Sequence, residues 1–203
     1  MSASSDEYRT IRGEAQASCR VQGSQFVAVA SPSRTREEAE EFVEGIRRQY
    51  HDATHHCFAY RCGPSGNVFR FNDDGEPSGT AGKPILNAID RVRLTDLCVV
   101  VTRYFGGTKL GVGGLARAYA GAAEQALARA DVVTRYELDS FRISFPHRHI
   151  GTVMHVASRL GVRITETTYD GEVHLTVEIR RSKTEELRRL LTDHTSGSIR
   201  FSS

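Results

Sequence analysis

The sequence predicts an α+β protein of two domains, and three observations carry that prediction. The chain has 203 residues, which suits one large domain or two small ones. Its second half runs strand, helix, strand, strand, helix, strand within about 65 residues, the split βαβ or ferredoxin-like order. Its first half has a different texture, with a capped helix, a hairpin and two long glycine-rich segments set between apolar runs. The boundary is read near Thr134 to Glu137, giving domains 1–134 and 135–203.

Along the first domain, Met1 to Gln16 is polar and is expected to be frayed. "FVAVA" (Phe26 to Ala30) predicts a strand. "SPSRTREEAEEFVEGIRRQY" predicts a capped helix, because Ala39, Phe42, Val43, Ile46 and Tyr50 share one face at helical spacing. "HHCFAYRC" and "NVFRF", separated by "GPSG", predict a hairpin. A short helix is expected near Pro84 to Arg91, and "LCVVVTRYF" is a buried strand. "GGTKLGVGG" reads as a turn leading into the helix "LARAYAGAAEQALARA", whose alanines permit close packing.

In the second domain "DSFRISF" alternates as a strand. Ile150, Val153, Met154, Ala157 and Leu160 form a helical stripe that Gly161 closes as a C-cap. "VRITETTY" and "EVHLTVEI" flank Asp170-Gly171, a strong hairpin signal. "SKTE" (Ser182 to Glu185) reads as a capping box before Leu187, Leu190 and Leu191. "SIRF" is the last strand.

Composition narrows the function classes. Net charge is +2, with ten Lys/Arg against nine Asp/Glu from Glu137 onward and seventeen against sixteen before it. Neither half is a polybasic arm, so any nucleic-acid contact is a local patch. No apolar run approaches the roughly 20 residues of a membrane span. The start lacks the pattern of a signal peptide. Cys19, Cys57, Cys62 and Cys98 are irregularly spaced, which fits reduced thiols in a cytoplasm better than a disulfide framework.

Several motifs fail on inspection. "GVGGLA" fits a loose dinucleotide fingerprint, but no doubly wound series of βα units surrounds it. "GTAGKP" lacks the earlier glycine of a phosphate loop and has Pro84 where a magnesium-binding hydroxyl belongs. His55 and Cys57 face one side of a strand and His56 the other, so the three cannot share one ion. No metal or cofactor is therefore expected.

Two segments remain. "FNDDGEPSGTAGKPIL" (Phe71 to Leu86) holds three carboxylates, three glycines, two prolines and one lysine, and it is too long to be a simple connection. Its Asp73, Asp74 and Glu76 suit acid–base work or a hard cation, or equally turn-building through side-chain-to-backbone bonds. "RYFGGTKLGVGG" places Arg103 and Lys109 around five glycines at a helix start, with Arg117 one turn inside. Exposed amides there, with the positive end of the helix dipole, favour phosphate or carboxylate. The alternative is a tight strand-to-helix corner and nothing more.

"DDGEPSGTAGKPIL" together with "VVVTRYFGGTKLGVGGLARAYAGAA" resembles the signature of the IMPACT family, in its bacterial YigZ-like branch. "ATHHCFAY" is similar to that family's His-x-Cys-x-Ala-Tyr strand, and "FVAVASPSRTREEAEEFV" to its opening strand and helix. The resemblance covers about residues 20 to 130, and residues beyond it only by length and element order. It implies a first domain similar to the second domain of ribosomal protein S5. The second domain would be similar to the last domain of elongation factor G. Both folds are associated with ribosomes or RNA. Eukaryotic relatives regulate translation by competing for the activator of a stress-responsive kinase. Departures are few: Thr108 and Val112 replace an expected apolar residue and a threonine, Ala116 a larger aliphatic, and His56 a common asparagine.

The resulting expectation is a cytoplasmic, translation-linked and non-enzymatic protein with no membrane contact, partnered by RNA, the ribosome or another phosphate-bearing molecule. Arg103, Gly106, Gly107, Lys109, Gly111, Gly113, Gly114, Arg117 and Lys83 would bind the anion. Asp73, Asp74, Glu76, Ser78, Thr80 and His56 would organise the site. Arg103 and Lys109 are expected to be exposed, held by the acids of the first segment, so that the two segments are lips of one site. An alternative is a hydrolase-like enzyme using Asp73, Asp74, Glu76, His56 and Lys109. A further one is a protein-binding adaptor, marked by an apolar patch with no basic groove.

Overall fold

A computed structural model describes residues 6–202 of the chain. They divide into two compact units, residues 8–135 and residues 136–202 together with Asp6 and Glu7. Both are mixtures of helix and antiparallel sheet, the α+β class expected.

The elements of the first unit are β1 (Glu7–Ile11), β2 (Ala15–Val21), β3 (Ser24–Pro32), α1 (Arg36–Gln49), β4 (His55–Cys62), β5 (Val68–Asn72), α2 (Gly82–Val92), β6 (Leu97–Tyr104), α3 (Gly111–Ala128) and β7 (Val132–Tyr136). Five strands form one sheet in the order β2-β3-β6-β4-β5, and each neighbouring pair is antiparallel. β1 and β7 pair separately. The apolar run of β6 places Cys98 and Val100 with α1, and Leu97, Val99 and Val101 with α2 and α3. Because helices cover both faces, the central strand is apolar throughout instead of alternating. α1 starts at Thr35, whose hydroxyl accepts from the Glu38 amide, and it buries Ala39, Val43 and Ile46. α3 buries Tyr119 among alanines, and the Tyr119 ring meets Phe26 edge-on at 5.2 Å.

The second unit follows the order β8 (Leu138–Phe145), α4 (Ile150–Leu160), β9 (Arg163–Asp170), β10 (Glu172–Arg180), α5 (Thr184–His194) and β11 (Arg200–Ser202). Its sheet order is β11-β8-β10-β9, so the first and third strands lie in the middle, as in a ferredoxin-like domain. Phe141, Ile143 and Phe145 of β8 and Val173, Leu175, Val177 and Ile179 of β10 point into one core with both helices. Gly161 ends α4 in the left-handed conformation, φ +72°, and its amide bonds back to the last turn.

Three expectations need correction. The part of the expected frayed segment lying within residues 1–5 is outside the described residues. Beyond it the chain is ordered as β1 and β2, because Ile11 is fully buried and Ala15 and Ala17 alternate inward against β3. The small side chains hide that alternation in the sequence. The helix read as beginning at Leu115 begins at Gly111, so Gly111, Gly113 and Gly114 lie in its first turn. Ser182 and Glu185 do not form a capping box: no side chain caps α5, and the amide and hydroxyl of Ser182 both donate to Asp6. α5 begins at Thr184 with Lys183 at its cap position, so Ser182 lies one residue too early to cap it.

Arg180 also donates to Asp6, through Nε at 3.3 Å and Nη2 at 3.0 Å. The bonds from Arg180 and then Ser182 hold the Asp6 carboxyl well below the usual carboxylate range. A depressed folded pKa means that the contribution is present above the unfolded value of about 4 and is lost as pH falls through the folded value. Acidification from pH 7 to 3 is therefore expected to lower the urea midpoint of the wild-type chain more than that of Asp6→Asn. Equal losses would show that Asp6 does not carry this pH dependence.

Candidate functional site

The site is built on the last turn of β6. Register places Arg103 between Phe26 of β3 and His55 of β4, on the face that α3 covers. The alternation Leu97, Val99, Val101 puts an apolar residue at each earlier position of that face. Arg103 continues it and is 5% exposed, contrary to the exposed cation expected. Its charge is neutralised by Glu76, 2.6 Å away at Oε1, and the Glu76 side chain is 4% exposed. Tyr119 of α3 donates to the same oxygen at 2.7 Å. Arg103 Nη2 donates to Ser24 at 3.2 Å, and the guanidinium stacks 5.4 Å from the Phe105 ring centre.

Glu76 reaches this position because the loop before it is locked. Asp73 Oδ1 accepts the amides of Ala81 and Gly82, and Oδ2 that of Gly79. Burial raises the Asp73 pKa, but the amides of Gly79, Gly82 and Ala81 outweigh it and leave the value lowered. Asp74, at φ +43°, accepts Arg47 of α1 at 2.9 Å and the His56 amide at 2.6 Å. His56 spends Nε2 on the Tyr50 carbonyl, and His55 meets the Asp74 carbonyl through Nδ1. Thr80 is buried and donates to the Pro77 carbonyl, whereas Ser78 and Lys83 are exposed. Asp73 is thus a turn-builder, and Asp74 ties the loop to α1 and β4. Glu76 is the counter-ion of Arg103.

The thiol of Cys57 donates to the Asp73 carbonyl, and burial pushes its pKa well up, the reverse of the lowering that activates a thiolate nucleophile. Burial, Cys57 and Glu76 similarly push up the Tyr119 hydroxyl.

The glycines of the second segment divide by role. A Cβ on Gly106 would fall 1.9 Å from the Gly23 carbonyl carbon, so Gly106 lets the loop pass against the β2–β3 turn, and its amide donates to Ser24 Oγ at 3.2 Å. Gly107 and Gly111 have φ of +87° and +69°, which reverse the chain into α3. No side chain caps α3 and its first turn carries no acid, so its leading amides are unclaimed by the helix.

Glu76 and Pro77 of the first segment and Arg103, Phe105, Lys109 and Val112 of the second line one cleft of about 360 Å³. The two segments converge. Lys109 is exposed and enters no ion pair among the described residues. Phe105 and Val112 are 49% and 66% exposed at the rim. Arg117, also exposed, lies instead in a second cleft between α2 and α3, with Arg91 and Glu124. Sequence reasoning missed Tyr119, Ser24 and Phe105. An arginine on the buried stripe of β6 was the available signal for a buried partner.

Residues 22–127, which contain every residue of this cleft, match the Impact N-terminal domain. The chain belongs to the IMPACT family. Residues 143–198 match a domain of unknown function (DUF1949). Over 190 residues the chain is 35% identical to the IMPACT family member YvyE of Bacillus subtilis, covering 94% of this chain and 88% of that protein. It is 31% identical to the IMPACT family member YigZ of Escherichia coli, covering 89% and 90%. A crystal structure of a hypothetical protein, 29% identical, superposes with a TM-score of 0.73 over 97% of both chains.

Breaking a buried ion pair from one side strands a charge, at a cost of about 3–5 kcal/mol, whereas replacing both partners by apolar groups is often neutral. Glu76→Ala is expected to destabilise the chain by about that amount, and Glu76→Leu with Arg103→Met to regain most of it. Urea denaturation of the wild type, Glu76→Leu, Arg103→Met and the double variant, alongside Glu76→Ala, checks this. Additive losses would mean that the two residues are not coupled.

Proposed function

We propose that residues 8–135 form a binding unit for single-stranded RNA, acting in the cytoplasm on RNA or the ribosome without catalysing a reaction. The observation that carries this reading is the convergence at one cleft of an uncapped helix start, the exposed Lys109 and the exposed Phe105 ring. Unclaimed amides and the helix dipole favour a phosphate, and Lys109 adds a charge. Phe105 offers a face on which a base stacks. No helix of the described residues is long and apolar enough to cross a membrane.

The hydrolase-like alternative loses its support from the same geometry. Asp73 is spent on three loop amides, Asp74 on Arg47 and the His56 amide, and Glu76 on Arg103 and Tyr119. The apolar rim favours the adaptor alternative only in part, because Lys109 stands beside it.

With a net charge of +2, binding should be weak to moderate and strongly salt-dependent. Fluorescence anisotropy with a short labelled single-stranded RNA at two salt concentrations is the test. Lys109→Ala is expected to weaken binding and reduce the salt slope by about one. Phe105→Ala should cost about 1–3 kcal/mol of affinity with little effect on the slope. Lack of RNA binding at low salt would overturn the reading.

A further inference from the structure

The floor of the cleft is the Glu76–Arg103 pair, and one carboxylate oxygen of that pair has no partner in the fold. Among the described residues every hydrogen bond to Glu76, from Arg103 and from Tyr119, falls on Oε1, and none reaches Oε2. Arg103, 5% exposed, has its Nε buried without a partner. Oε2 is not among the buried atoms without a partner, so it keeps access to the cleft, and a carboxylate oxygen left open at the floor of a cleft is a feature to explain. Above them the walls are apolar: Phe105, Leu110, Val112 and Leu115. A volume of about 360 Å³ lies at the small end of ligand sites, roughly 300–1,000 Å³.

We propose that this cleft takes one unstacked guanine base of the RNA. The inference rests on the RNA reading above and adds a base preference to it. Guanine alone among the four bases presents two adjacent donors, N1–H and N2–H, next to a carbonyl acceptor, O6. Its donors meet Oε2 of Glu76, and O6 is turned toward the positive charge of the Arg103 guanidinium, the partner that arginine offers guanine elsewhere in nucleic-acid recognition. The flat base lies against Phe105, and its phosphate sits at the start of α3 beside Lys109. The Glu76–Arg103 pair then has two roles, closing the loop onto the sheet through one oxygen and reading the base through the other. Bases that offer a single donor satisfy less of the floor, and a buried polar group left unpaired is what makes a site discriminate.

The test is a calorimetric or NMR titration of the full chain with GMP, AMP, CMP, UMP and inorganic phosphate separately. GMP is expected to bind at least about tenfold tighter than each of the others, a difference of about 1.4 kcal/mol. Glu76→Gln keeps a side chain of the same size but replaces one oxygen by a donor. It should abolish the preference while phosphate binding survives, with a thermal melt confirming that the variant is folded. Equal binding of the four nucleotides, or binding of phosphate alone, overturns the guanine assignment. If short RNA binds in the anisotropy experiment but none of the mononucleotides shows a preference, this proposal falls and the RNA reading stands. If GMP binds selectively and RNA does not bind, the cleft is a nucleotide site and the RNA reading falls. Binding of a peptide carboxyl terminus in place of any nucleotide would overturn both.

Discussion

A single buried ion pair, Glu76 with Arg103, organises the first unit around its cleft. Burying two charges is costly, and their attraction offsets that cost only when geometry and further hydrogen bonds are good. Here Tyr119 and Ser24 supply those bonds, and Phe26 and Phe105 flank the guanidinium. Such a pair contributes little net stability compared with an apolar core. What it does is fix position, because any arrangement of the loop that withdraws Glu76 strands a charge beneath α3. The locked turn at Asp73 and Asp74 serves the same end, since it delivers Glu76 to the end of β6.

This arrangement separates what the family signature does for folding from what it leaves for binding. Asp73, Asp74, Thr80, His56 and Gly106 are used up by the protein itself. The groups with capacity to spare are fewer: Lys109, the Phe105 ring, the first amides of α3 and Oε2 of Glu76. Conspicuously polar side chains are therefore poor guides to the ligand in this domain. Those that fold the loop are as polar as those that would meet a partner.

How legible the fold was depended on side-chain size. α1, the β4–β5 hairpin and the βαββαβ order were readable because large apolar residues mark their periods: Val43 and Ile46 in α1, and Phe145, Val153, Val173 and Leu191 in the second unit. β1 and β2 were not, because Ala15 and Ala17 face inward from among polar neighbours and carry little signal. The site was half legible. The convergence of the two segments followed from their length and their shared sheet. The burial of Arg103 did not, although its place on the Leu97, Val99, Val101 stripe contained it, because arginine is so seldom buried. The close backbone approach at Gly106 was not legible, because a glycine needed for it looks the same in sequence as one that faces a ligand.

The account stands or falls on whether one cleft of the first unit, roofed by the start of α3, is where the partner binds. Mapping amide chemical shifts of the full chain while a short single-stranded RNA is titrated tests this most directly. The account predicts shifts concentrated at residues 76–77 and 103–115, with the amides of Gly111, Val112 and Gly113 among the largest. Shifts centred on the sheet of the second unit, or on the opposite face of the first beside α1, would contradict it.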